Sequence, residues 1–133
     1  MPRMYIAGPL FNGNYVDLIT ADMNLEKGIN ICQKLMQKGW SPYLPHYSIA
    51  LHTWQIRHMR PIFSWERWIQ LDQEFLEVCT ALFFFGHSKG ADRELKWALD
   101  NDYKIYTDID QVPTIEKGDM LTDEETRGLG NSS

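Results

Sequence analysis

Apolar positions recur along this chain in two rhythms. From about Asp22 to Lys38, Leu25, Ile29, Cys32, Leu35 and Met36 fall at the three- and four-residue spacing of a helix that buries one face, and Gly39 follows as its C-cap. Arg3-Met4-Tyr5-Ile6-Ala7, Trp40 to Leu44, Thr80 to Phe85 and Tyr103 to Thr107 are short, largely apolar runs that read as strands. Ser64 is placed to N-cap a helix reaching about Val78, and another helix spans roughly Ala91 to Asp100. Phe11-Asn12-Gly13-Asn14 reads as a turn. Between Pro45 and Phe63 the period fails, and the pattern predicts a long loop with room for a short helix; loops of that length are often functional.

Strands separated by helices imply right-handed crossovers. The expected fold is therefore α/β, a Rossmann-like (flavodoxin-like) parallel sheet of about four to five strands with helices on both faces. In such sheets ligands bind beyond the carboxyl ends of the strands. Gly8, Pro9 and Asn12, then His46, then Ser88 to Glu94 all fall there, so three separated segments should converge on one edge. Residues 1–115 read as one domain, and 116–133, polar and glycine-rich with Asp119, Asp123, Glu124 and Glu125, as a mobile tail.

With 133 residues, 44% of them hydrophobic, one domain with a substantial core is possible and two ordinary ones are not. The net charge of −5 argues against binding a nucleic-acid polymer, which needs clusters of Lys and Arg. No run approaches membrane-spanning length, and Cys32 and Cys79 sit in apolar helical patterns as reduced core cysteines would; a cytoplasmic protein is expected. His46, His52 and His58 are spaced too widely for a compact metal pattern and no cysteine joins them, so neither a metal nor another cofactor is expected.

The densest chemistry lies in Phe85-Gly86-His87-Ser88-Lys89-Gly90-Ala91-Asp92-Arg93-Glu94, where an apolar strand ends in a small polar loop and a helix begins. Free N–H groups of a loop and a helix N-terminus attract anions, and Glu94 stands beside them as a nucleophile or acid, or merely as a carboxylate favoured by the helix dipole. Asp72 has Trp68 and Ile69 one turn before it and Phe75 and Leu76 one turn after, which puts a carboxylate on an apolar face. Buried charge there is costly unless it is paired or functional. Ser88 reads as a loop or N-cap residue, Asp92 as a cap or a partner of Arg93, and His46 as a turn histidine or a ligand contact. Trp54, Trp65 and Trp68 would either stack on a base or pack the loop onto the core.

Taken in order, Tyr5-Ile6-Ala7-Gly8-Pro9, Asp72 and Ser88-Lys89-Gly90-Ala91-Asp92-Arg93-Glu94 resemble the motifs of the nucleoside 2-deoxyribosyltransferase superfamily, including its 2'-deoxynucleoside 5'-monophosphate N-glycosidases. The resemblance covers about residues 3 to 110 and is nearest to small bacterial and phage proteins of that group. It implies cleavage or transfer at the N-glycosidic bond of a small nucleoside or nucleotide, with Glu94 attacking the anomeric carbon, Asp72 or Asp92 orienting the base, and Tyr5 holding Glu94. It also implies that Gly8, Ser88 and Gly90 contact sugar or phosphate, and that the protein is a homodimer. Asp92 stands where the monophosphate hydrolases have glycine, and its charge would repel a phosphate at close range. A module that binds or senses a nucleotide-like ligand without turnover is the alternative.

Overall fold

The computed structural model describes residues 2–10, 18–115 and 123–131. Four parallel strands, β1 (Arg3–Ala7), β2 (Ser41–Tyr43), β3 (Ala81–Phe84) and β4 (Lys104–Tyr106), form one sheet in the order β2-β1-β3-β4. The chain passes through α1 (Leu18–Gln37) between β1 and β2, through α2 (Ser48–Arg57) and α3 (Trp65–Leu76) between β2 and β3, and through α4 (Lys89–Asp100) between β3 and β4. This is the expected Rossmann-like, flavodoxin-like arrangement, with four strands.

Strand alternation divides the core. Met4 and Ile6 of β1 with Ala81 and Phe83 of β3 face α1, where Cys32, Leu35 and Leu44 complete one cluster. Tyr5 and Ala7 with Leu82 and Phe84 face the other way, against Leu76 of α3 and Ala91 and Ala98 of α4. Both faces of β1 and β3 are covered, which is why these strands read as continuous apolar runs. Burying side chains such as Ile6 and Leu82 contributes about 1.5–3 kcal/mol each. Tyr5, a polar-tipped residue with no solvent exposure, stands out in that core.

Local signals explain most boundaries. Gly39 adopts φ 88°, a left-handed conformation open to glycine, and ends α1. The Ser64 side chain accepts from the Arg67 N–H and starts α3. One segment differs from expectation. The Pro45–Phe63 stretch is largely helical, a short turn at Pro45–Tyr47 running directly into α2. Its period is illegible because Leu51, Trp54 and Ile56 point outward while the polar Gln55 is buried, and because no side chain caps its start. In the polar C-terminal stretch, Asp123–Asn131 forms a helix, α5. The turn at 11–14, with Asn12, lies outside the described residues. Among those described, no helix is long and apolar enough to cross a membrane.

Candidate functional site

The exits of three strands are packed into one another. Gly8 leaves β1 directly under the Phe85 ring: a β-carbon on Gly8 would lie 2.1 Å from Phe85 Cε1. Beyond β2, the buried His46 donates from Nε2 to the Pro9 carbonyl at 2.8 Å, and its ring lies 5.5 Å from that of Phe85. Burial holds the His46 imidazole below its ordinary pKa, opposed by the bond to Pro9, so the residue is a neutral brace for the β1 exit. Above these exits opens a cavity of about 750 Å³, within the size range of small-molecule sites. Gly8, Pro9, His46, Ser88, Gly90, Asp72 and Glu94 all line it.

Asp72 arrives from α3 and Glu94 from α4, two helices on the same face of the sheet. Each carboxylate is held by a tyrosine. The Tyr5 hydroxyl donates to Glu94 Oε2, and the Tyr43 hydroxyl donates to Asp72 Oδ1 at 3.4 Å. Tyr5 and Tyr43 are register partners on β1 and β2, so their rings stand side by side with centroids 5.6 Å apart. Tyr43 is further clamped by Phe75, stacked at 4.3 Å. Among the described residues, the second oxygen of each carboxylate has no hydrogen-bond donor.

Burial raises the Glu94 pKa to about 7, with Tyr5 and Arg93 lowering it and the charge of Asp72 raising it. Asp72 is raised to about 6 by burial, opposed by Tyr43 and Arg93. The asymmetry is physical: Asp72 ionises first, so Glu94 titrates beside a charge and Asp72 beside a neutral neighbour. Both tyrosines are pushed above their ordinary pKa, chiefly by burial and then by these carboxylates, so they remain donors.

The loop after β3 forms the polar wall. Ser88 Oγ accepts from the Ala91 N–H at 3.0 Å, making Ser88 the N-cap of α4 while it also lines the cavity. Lys89 and Arg93 bring positive charge to the same wall, and Gly90 leaves space there, an added β-carbon finding only Arg93 Nη2, 3.8 Å away. Asp92 departs from both sequence readings. Its carboxylate neither caps the helix nor pairs with Arg93, but accepts from His87 Nδ1 at 2.7 Å, half-exposed and outside the cavity lining. Asp92 is not itself a lining residue, but His87, from which it accepts, is.

Trp65 and Trp68 line the cavity, whereas Trp54 stacks on His58 at 4.6 Å away from it. Sequence reasoning missed Tyr43 and Arg93 as members of the site, and treated His52, which also lines the cavity, only as a metal candidate. Tyr43 carries one usable signal: it occupies the same relative place in its strand as Tyr5, which matters once β1 and β2 are known to pair. Cys32 and Cys79 are buried free thiols, as expected of core cysteines. Comparison with protein-family models, curated proteins and solved structures finds no match for the chain.

Proposed function

We propose that the protein cleaves or transfers the N-glycosidic bond of a small nucleoside or nucleotide, with Glu94 as nucleophile. The observation that carries this reading is the meeting of Glu94 and Asp72, from separate helices, on one cavity that Lys89 and Arg93 of α4 also line. The transition state at an anomeric carbon is cationic, and a pair of partly desolvated carboxylates stabilises it. In the first step an oxygen of ionised Glu94 bonds to the anomeric carbon; the departing nitrogen keeps the electron pair of the broken bond and takes a proton from solvent. In the second step water attacks the same carbon, its proton passes to Asp72, and the bond to Glu94 breaks. A second base in place of water gives transfer. Tyr5 holds the nucleophile on one oxygen and leaves the other for bond formation. Lys89 and Arg93 suit an anionic group on the sugar, and Asp92 is engaged by His87 rather than lining the cavity itself.

Chromatographic detection of free base, from a panel of deoxynucleosides, ribonucleosides and their monophosphates, tests the reading. Release or exchange is expected from the parent and not from Glu94→Gln, with kcat/KM rising as pH increases through about 7, where Glu94 ionises. No release or exchange from any member of the panel refutes it. A homodimer belongs to the same reading, and the exposed Leu51, Ile56, Met59 and Ile62 offer apolar surface to bury; a monomer at high concentration in light scattering removes that part.

A further inference from the structure

We infer that Asn24, on the buried side of α1, is a positioning residue that, together with His46, holds the Gly8–Leu10 wall of the cavity in the shape that meets a ligand. Only the identity of that ligand rests on the N-glycosidase reading. Ala21, Asn24, Gly28, Cys32 and Leu35 follow one another along α1 at three- and four-residue spacing, and all five are buried. Four of them suit an apolar face. Asn24, only 7% exposed, does not, and a buried amide is costly unless it is bonded.

Its bond goes to the exit of β1. Asn24 Nδ2 donates to the Leu10 carbonyl at 3.0 Å, while His46 donates to the preceding carbonyl, that of Pro9. The Ala7 carbonyl accepts from the Phe85 N–H at 2.9 Å. Three carbonyls of residues 7–10 are therefore held by three separate parts of the chain: α1, the turn after β2 and the end of β3. Close backbone approaches fix the same stretch, since a β-carbon on Gly86 would lie 2.9 Å from Pro9 Cδ, the counterpart of Gly8 beneath Phe85. Gly28 brings α1 against Leu44, two residues before His46: an added β-carbon would lie 2.7 Å from Leu44 Cδ1. The two donors thus stand on parts of the chain that are packed together.

Gly8, Pro9 and Leu10 all line the cavity, whereas Asn24 is not a lining residue, so it acts on a ligand through Leu10. A backbone pinned before the ligand arrives does not have to be ordered by it, and affinity that a loose segment would lose is kept. An apolar residue at position 24 would complete the α1 stripe and take the donor from Leu10. Glu94 and Asp72 are held by Tyr5 and Tyr43 instead, so loosening this wall weakens binding more than the chemical step.

NMR relaxation and steady-state kinetics on Asn24→Leu and Asn24→Ala test the inference. Leucine is close to the amide in shape but brings no donor, whereas alanine leaves room for a water to reach the Leu10 carbonyl. In Asn24→Leu the order parameter of the Leu10 amide should fall from about 0.85, the value of rigid backbone, to below about 0.6, with Tyr5 and Ile6 unchanged. For whichever deoxynucleoside or monophosphate is turned over, KM should rise about tenfold in Asn24→Leu with kcat within about twofold, the scale of one hydrogen bond. Asn24→Ala should fall between that variant and the parent. A side chain that merely fills space gives the opposite order, because alanine leaves the larger gap, and that order overturns the inference. A Leu10 amide equally mobile in parent and Asn24→Leu overturns it too, as does a loss of order spread evenly through α1 and β1. A leucine variant that does not fold counts against it, because the rest of that stripe is apolar. Loosening confined to the β1 exit, without base release by the parent, keeps Asn24 as the brace and refutes the glycosidase reading; base release with KM indifferent to Asn24 does the reverse.

Discussion

Replacing Glu94 by glutamine is expected to stabilise the protein, by an amount that grows as pH rises from about 4.5 and levels off above about 7. Burial raises this carboxyl from an ordinary 4.5 to about 7. The folded value lies above the unfolded one, so the stability linked to the neutral form is complete below about pH 4.5 and is lost as pH rises through about 7. At about 1.4 kcal/mol per pH unit, ionising Glu94 inside the fold costs up to about 3 kcal/mol once the pH is above 7. Glutamine keeps the shape and still accepts from Tyr5, but never ionises, and its amide reaches the open cavity rather than packed core. Urea denaturation of parent and variant at about pH 4.5 and about pH 8 measures the difference, with little separation expected at the acid value and a gain approaching about 3 kcal/mol at the alkaline one. A gain independent of pH, or a variant less stable than the parent at about pH 8, would refute the claim that this carboxylate is held charged at a cost. A stability gain on removing a buried charge is the usual mark of a residue kept for something other than stability.

Further outcomes follow from individual contacts. Tyr43→Phe removes a bond that lowers the Asp72 pKa, so carbon-detected NMR titration should place Asp72 above its parent value of about 6, and an unshifted midpoint contradicts the bond. Gly8→Ala must displace the Phe85 ring, and a loss of about 1–3 kcal/mol in chemical denaturation is expected; a neutral result means the strand exits are looser than described. Ser88→Ala removes the N-cap of α4 and should cost about 1 kcal/mol, read as a lower thermal midpoint.

What could be read from the sequence was governed by burial on two scales. The strands and α1, α3 and α4 were legible because spacing marks residues such as Leu35 and Leu76 as core and makes Asp72 conspicuous, although Ile29 and Met36 of the expected α1 face are exposed and Asn24 is buried instead. The parallel sheet followed from the alternation of strands and helices, and with it the convergence of Gly8, His46 and the Ser88 loop, while the strand order came from the structure. The α2 segment was opaque because it lies across a cavity rather than on a core, leaving tryptophan and leucine outside and glutamine within. Asp92 was misread because whether a carboxylate turns to the backbone, to Arg93 or to His87 is decided by a rotamer, which spacing does not encode. Tyr43 was missed because its partner, Asp72, lies 29 residues away on another element.

The in-register placement of Tyr5 beside Tyr43 ties chemistry to assembly. A strand displaced by a single position presents its opposite side, so a β1 that slipped along its neighbour would turn Tyr5 toward α1 and strand Glu94 without its donor. Only correctly matched strands deliver both phenols to the two acids. A copy with a shifted sheet would thus lack both tyrosine–carboxylate bonds, so the contacts that shape the cavity also depend on correct strand matching.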